Sequence, residues 1–350
     1  MAESAGRALL VGAAALLAMA GAADAAGTKT VKDWTAVCDN VGTCTAFGFS
    51  PETDDTDAYL VVRRAAGGAA APSVTVVFDP GDKELAADWR LTLDGKPIAG
   101  VGLAHAAGSD GGARARISPA AAAALIEALR GGQTLELVEA GKPLAGVSLA
   151  GSAAVLLWVD DQQGRVGTVT ALTRKGPKPA SAVPPPAAPP LIAAAAPVSQ
   201  AGLPKYAPKS LIKPLEDCDS SVSMDKPDDI VARLAPGVVL WGPECQMAAY
   251  NETSVFFVGD EHAGHLRRVS FPEPPGSEQA SDDVLMNVGF ETRTQTLTSF
   301  SKGRGLADCG ASEQWVWTGK AFALLHEDIM PECRGVSPDD WPALFVGKRR

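Results

Sequence analysis

Residues 176–208 read GPKPASAVPPPAAPPLIAAAAPVSQAGLPKYAP. Pro184, Pro185 and Pro186 are consecutive, and Pro189 and Pro190 follow. Proline fixes φ and lacks an amide donor, so this stretch excludes a regular helix and an interior strand. It predicts an extended, polyproline-like spacer. We read it as a tether between two domains, in preference to a ligand for a proline-recognition groove. The flanking segments, 28–175 and 209–350, each have the length of a domain.

On the N-terminal side the pattern predicts an α+β domain of antiparallel strands with two helices. Trp34–Cys38 alternates as a strand, Asp39-Asn40-Val41-Gly42 has turn chemistry, and Cys44–Phe49 returns. Further strands are expected at Ala58–Arg64, Ser73–Asp79, Trp89–Leu93 and Val166–Thr173. One helix is signalled at 119–130, with Ser118 as N-cap, Pro119 in the first turn and Gly131-Gly132 as stop. A second is expected from Leu149 to about Gln162, led by Ser148. Two segments echo each other: Leu91-Thr-Leu-Asp-Gly-Lys-Pro-Ile-Ala-Gly and Glu136-Leu-Val-Glu-Ala-Gly-Lys-Pro-Leu-Ala-Gly. Each reads as a hairpin with the same turn chemistry, which requires no duplication.

On the other side, 209–350 reads as a mainly β domain. Ser254–Val258 with Leu266–Phe271, Val284–Glu291 with Gln295–Ser301, and Gln314–Trp317 with Ala321–His326 are successive strand-turn-strand units. They predict an antiparallel meander.

The first residues predict a leader. Arg7 precedes an apolar run from Ala8 to Ala20, too short to span a bilayer, and Ala23-Asp24-Ala25 has the A-x-A cleavage pattern. Residues 1–25 are therefore expected to be a cleaved signal peptide, and the mature chain to be periplasmic or secreted without a transmembrane segment. The whole chain carries a formal charge of −10. That balance excludes a protein built as an electrostatic nucleic-acid binder. The six cysteines fit an oxidising compartment. No pair has the C-x-x-C spacing of a redox site or the paired spacing of structural zinc, so all six, Cys38, Cys44, Cys218, Cys245, Cys309 and Cys333, read as disulfides. If pairing stays within a domain, Cys38 joins Cys44. The other four leave several connectivities open, of which sequence order favours Cys218–Cys245 and Cys309–Cys333.

Several segments together resemble an exported proteobacterial family, domain of unknown function 1176. They are Asp33-Trp-Thr-Ala-Val-Cys-Asp-Asn40 followed by Cys44; Ser148-Leu-Ala-Gly151 leading to Asp160-Asp-Gln-Gln-Gly-Arg165; Cys245 with Ala249-Tyr-Asn251; and Ser301-Lys-Gly-Arg-Gly-Leu-Ala-Asp-Cys-Gly310 with Trp315-Val-Trp-Thr-Gly319. Ala307 stands where the last pattern has Gly. The N-terminal half is also similar to the invasion-associated locus B proteins, through DWTxxC and the SLAG-led helix. The first resemblance implies compartment and architecture but no assigned activity. The second implies an envelope or host-interaction role.

Three constellations could carry chemistry. Lys302-Gly303-Arg304-Gly305 offers backbone amides and two cations for an anionic ligand, the alternative being a turn in which Asp308 neutralises Arg304. Trp315 and Trp317 share a strand face and offer stacking area or a core anchor. Asp260-Glu261-His262-Ala263-Gly264-His265 places two imidazoles beside two carboxylates, with His326-Glu327-Asp328 on a neighbouring strand. His262 and His265 match no standard zinc spacing. The resulting expectation is a disulfide-stabilised envelope protein without cofactor, more a binding or interaction module than an enzyme. Its partner would be an envelope protein or cell-wall component, not nucleic acid. The alternative is a periplasmic hydrolase using His262, Glu261 and His326.

Overall fold

The computed structural model describes residues 26–51, 58–78, 89–98, 103–107, 113–212, 218, 228–274 and 284–350. The expected leader lies outside them. Among the described residues no helix is long and apolar enough to cross a membrane.

The first half runs β1 (Gly27–Val31), β2 (Trp34–Cys38), β3 (Cys44–Phe49), β4 (Ala58–Arg64), β5 (Ser73–Phe78), β6 (Trp89–Leu93), β7 (Lys96–Pro97), β8 (Leu103–Ala107), β9 (Ala113–Ile117), α1 (Pro119–Leu129), β10 (Thr134–Glu139), β11 (Lys142–Ser148) and α2 (Ser152–Gln162). The main sheet is antiparallel in the order β1-β2-β3-β4-β5-β9-β8. One face packs Trp34, Leu60 and Val76 against Leu125, Ile126 and Leu129 of α1 and Val155, Leu156 and Val159 of α2. The two echoing segments form a second sheet, ordered β11-β10-β6-β7. They lie back to back, with Leu135 opposite Leu93 and Leu137 opposite Leu91. Both turns have positive φ at two successive residues, Asp94-Gly95 and Ala140-Gly141, the geometry that matches strand twist in two-residue hairpins. Shared turn chemistry accounts for the echo.

The expected strand at Val166–Thr173 is not one. Buried Asp160, near the end of α2, draws this segment into turns: its carboxylate accepts Leu172 N–H at 2.7 Å, Thr173 N–H at 2.8 Å and the Thr173 hydroxyl at 3.0 Å. Those donors are then not available to a sheet. Helix α2 begins at Ser152, three residues after the expected start, because Gly151 holds φ +100° against β1. A Cβ there would lie 1.9 Å from the Val31 carbonyl oxygen.

The second half runs β12 (Leu191–Ile192), β13 (Ile230–Ala235), β14 (Val238–Gly242), β15 (Glu244–Met247), β16 (Glu252–Val255), β17 (Phe257–Gly259), β18 (Arg267–Arg268), β19 (Val284–Met286), β20 (Gly289–Glu291), β21 (Thr296–Lys302), β22 (Gly310–Trp317), β23 (Phe322–Met330), β24 (Ala343–Val346) and β25 (Lys348–Arg349). The last two expected strand-turn-strand units form the sheet β20-β21-β22-β23-β24, antiparallel throughout, whereas the first, Ser254–Val258 with Leu266–Phe271, lies outside it. Two smaller antiparallel sheets, β13-β14-β17-β18 and β15-β16-β19, complete it. The expected strand Val284–Glu291 is divided at Asn287, whose φ of +45° turns the chain from one sheet into another. The core gathers Leu240, Phe256, Phe271, Leu297, Trp315, Phe322 and Phe345.

All six cysteines are paired as Cys38–Cys44, Cys218–Cys245 and Cys309–Cys333. The two long bridges close loops of 27 and 24 residues, each restricting the unfolded chain by roughly 3–4 kcal/mol.

The proline-rich segment is not extended throughout: it holds a 3-10 turn at Ala180–Ala182, and it is bonded to its surroundings. Ile192 and Leu191 pair in parallel with β25, Ala195 N–H donates to Trp317 O at 2.8 Å, and Gln200 bonds Arg233 through both backbone groups. The two halves also share a core. Phe47, Phe49, Tyr59 and Val77, on the sheet face away from the helices, pack with Cys309, Met330, Val336 and Trp341. This explains why β2 and β3 are buried along their whole lengths. Polar contacts frame the seam: Tyr59 Oη donates to Asp340 at 2.6 Å, Arg114 pairs with Asp340 at 2.7 Å, and the Asn40 amide bonds both backbone groups of Val346.

Candidate functional site

Three short sequence segments converge beside the Cys218–Cys245 bridge. They are the β15–β16 hairpin, the break between β19 and β20, and the end of β21 at Lys302. Asn287 is the junction. Its left-handed φ is one that Asn tolerates better than most residues. Its Oδ1 accepts Glu252 N–H at 3.0 Å, and its Nδ2 donates to Asn251 Oδ1 at 2.7 Å and Phe300 O at 2.6 Å. Asn251 in turn meets the backbone of Lys302 from both sides, donating to its carbonyl at 3.0 Å and accepting its amide at 3.3 Å.

This scaffold encloses a cavity of about 450 Å3. Glu244, Asp228 and Glu252 line it from the acidic side, Lys302 supplies a cation, and the exposed side chains of Met247 and Tyr250 stand at its rim. Glu244 is the group of most chemical interest. It is 5 % exposed; its Oε2 accepts Asp228 N–H at 3.1 Å, while its buried Oε1 has no hydrogen-bond partner. Burial raises its pKa, and the charges of Glu252, Asp228 and Asp229 add to the rise. A carboxylate so placed gains from a cationic donor, and an exposed tyrosine ring nearby favours the same ligand charge.

The Lys302–Gly305 segment lies against this cavity as a turn. Gly303 N–H donates to Cys309 O at 2.9 Å, and a Cβ on Gly305 would stand 3.7 Å from the Tyr250 ring. Asp308 takes the Arg304 guanidinium, Nε to Oδ1 at 2.6 Å, and also accepts Gly335 N–H at 2.7 Å. Burial alone would raise the Asp308 carboxyl, but Arg304 and that amide outweigh it and hold it below the usual range. Of the two cations expected to hold an anion, Arg304 is thus engaged and Lys302 lines a cavity whose charge is mainly negative. Trp315 and Trp317 are core residues, not a stacking platform. They are buried against Phe271 and Phe322, with Trp315 Nε1 donating to Pro272 O at 2.9 Å.

His262 and His265 lie exposed in the turn after β17, shaped by Asp260, which accepts the amides of His262 and Gly264. Glu261 pairs with Arg233 at 2.8 Å. His326 instead bonds Asp328 at 2.9 Å, which raises its pKa, and lies near Asp39 of the first half. Among the described residues no hydrogen bond or ion pair joins His326 to the His262 turn. Among the described residues, neither His262 nor His265 belongs to a cluster of three or more ligands that could hold a metal ion. Such a cluster among the described residues is Glu273, Glu313 and Glu327.

Sequence reading missed Glu244, Asn251 as a polar hub, Asn287 and Glu313. Asn251 stood in a quoted segment; the others carried no spacing signal, because their neighbours come from strands and loops distant in sequence or set by strand register.

A relative from Escherichia coli (strain K12), "Uncharacterized protein YpfG", is 28 % identical over 345 residues, covering 91 % of this chain and 92 % of that protein. No solved structure matches. The expected similarity of the N-terminal half to the invasion-associated locus B proteins is not shown. A family model described as "Protein of unknown function (DUF1176)" matches residues 28–348, and the chain belongs to that family.

Proposed function

We propose that this chain is an exported, non-catalytic binding protein. The cavity at Glu244 takes an amine-bearing group of an envelope component, such as the side-chain amine of a wall peptide. The carrying observation is the buried Glu244 carboxylate, with one oxygen unpartnered and lining a cavity whose other charges are mainly acidic. An ammonium donates up to three hydrogen bonds and accepts none, which suits the acceptors of Glu244, Asp228 and Glu252. Tyr250 at the rim supplies a ring face for the same cation. Lys302, which also lines the cavity, would meet a carboxylate on the same ligand. The apolar leader and the fully paired cysteines support an oxidising, extracytoplasmic location.

Titration calorimetry with cadaverine and with free lysine tests the reading. Saturable binding is expected, weakened more than about tenfold in Glu244→Gln, whose shape is retained. Lys302→Ala should weaken lysine and leave cadaverine nearly unchanged. No binding of either probe, or equal binding by Glu244→Gln, overturns it. Export is checked by intact mass after expression with the leader, which should give a mature chain starting near Ala26.

A further inference from the structure

Glu313 and Glu327 stand directly opposite each other on β22 and β23. Like charges at such a position destabilise a sheet, and burial increases the cost. The row across the sheet is Ser299, Glu313, Glu327 and Phe345. Ser299 and Phe345 are buried, and Phe345 belongs to the core, so the two carboxyls stand on the inward face. Glu273 reaches the same place from the segment after β18, which is fixed by the Trp315 indole bonding the adjacent Pro272 carbonyl. One oxygen from each of the three lies within 4.8 Å of the others. Glu327 is only 6 % exposed, and its buried Oε2 has no hydrogen-bond partner. A sheet that needed merely to fill this space would carry an apolar residue, as it does at Phe322 and Leu324.

We propose that Glu273, Glu313 and Glu327 bind a hard divalent cation, calcium. Calcium takes oxygen ligands in a flexible set drawn largely from the protein, whereas magnesium demands near-ideal octahedral geometry and usually keeps several waters, so a three-carboxylate set on two strands and a loop suits calcium. A purely carboxylate donor set selects against zinc, which favours nitrogen and sulfur. The cation takes the unpartnered Glu327 oxygen, favours the ionised form of that buried acid, and ties the segment at Glu273 to the meander. This site is separate from the cavity at Glu244, and its failure leaves that reading untouched.

The test uses the full disulfide-bonded chain after chelator treatment, with terbium as luminescent probe excited through tryptophan. Trp315, bonded next to Glu273, is placed to sensitise it. Saturable emission is expected, displaced by calcium at lower concentration than by magnesium. Glu327→Gln and Glu313→Gln should each weaken terbium binding more than about tenfold, while Glu291→Gln on β20 should not change it. Calcium should raise the melting temperature of the wild type and not of Glu327→Gln. Should Glu327→Gln fail to fold by circular dichroism, Glu313→Gln carries the comparison. Absence of emission, or equal emission from the glutamine variants, overturns the site; displacement by magnesium as readily as by calcium overturns the assignment to calcium.

Discussion

Two buried carboxyl groups, one in each half of the chain, lie in opposite conditions. Asp160, fully buried beneath α2, has each oxygen engaged by a backbone amide, and the Thr173 hydroxyl adds a third donor. Its charge also favours the guanidinium groups of Arg64 and Arg165; burial lowers the pKa of both, that of Arg64 to about 10. Glu327, almost as buried, faces other carboxyls and keeps an oxygen without a partner. Burial, and then the charges of Glu313, Glu273 and Asp328, push its pKa up to about 8. Both acids are hidden in the core, yet one completes a structure and the other leaves a requirement unmet. Unsatisfied bonding capacity, not burial, distinguishes the two acids.

The largest effect expected from breaking this contrast is at Asp160. Asp160→Asn keeps the shape but removes the charge beside two buried guanidinium groups and turns one acceptor into a donor. A loss of about 3–5 kcal/mol is expected, read from denaturant midpoints. A loss below about 1 kcal/mol would mean that Asp160 is no keystone.

Glu327→Gln should act in the opposite direction in calcium-free buffer. The unfolded carboxyl titrates near its ordinary 4.5 and the folded one at about 8. Between those values the unfolded chain is ionised and the folded chain is not. Wild-type stability therefore falls as pH rises through this window and levels off above it. Glutamine has no such dependence. The variant should match the wild type near pH 4.5 and exceed it by about 1–3 kcal/mol at pH 8. A difference that does not vary with pH would refute the buried-acid account.

The smallest effect concerns a local backbone cost in place of a carboxyl. Ala307 holds φ +55° in the turn after β21, where side chains are strained. Ala307→Gly should stabilise by about 0.5–1 kcal/mol, and thermal melting of the pair measures it.

Local chemistry made much of the fold legible. Ser118-Pro119 and Gly131 bracket α1, Asp94-Gly95 and Ala140-Gly141 make their hairpins, and the cysteine order matches the bridges found. The strand expected at Val166–Thr173 was unreadable for a definite reason: Asp160 takes the amides of Leu172 and Thr173 and the rest bond in local turns, a competition that β-branched residues such as Val166 and Thr168 do not reveal. The site was less legible. Lys302 was marked, but its acidic surroundings come from Asp228, Glu244 and Glu252. The glutamate group depends on the register that sets Glu313 opposite Glu327, and on a loop that returns to them. Neither follows from periodicity.

The seam between the halves has a consequence for synthesis. Asn40 and Val346 are 306 residues apart, Tyr59 and Asp340 281 apart. A chain made from its first residue onward can close the Cys38–Cys44 hairpin early, but Phe47, Phe49 and Tyr59 have no cover until residues 309–341 arrive. Contacts so distant in sequence form slowly, because the entropy of closing a long loop must be met before they contribute. In the interval the nascent first half presents an aromatic surface to its surroundings, the condition under which partly made chains aggregate. Folding yield should therefore depend more on how quickly residues 309–341 follow than on the stability of the first half.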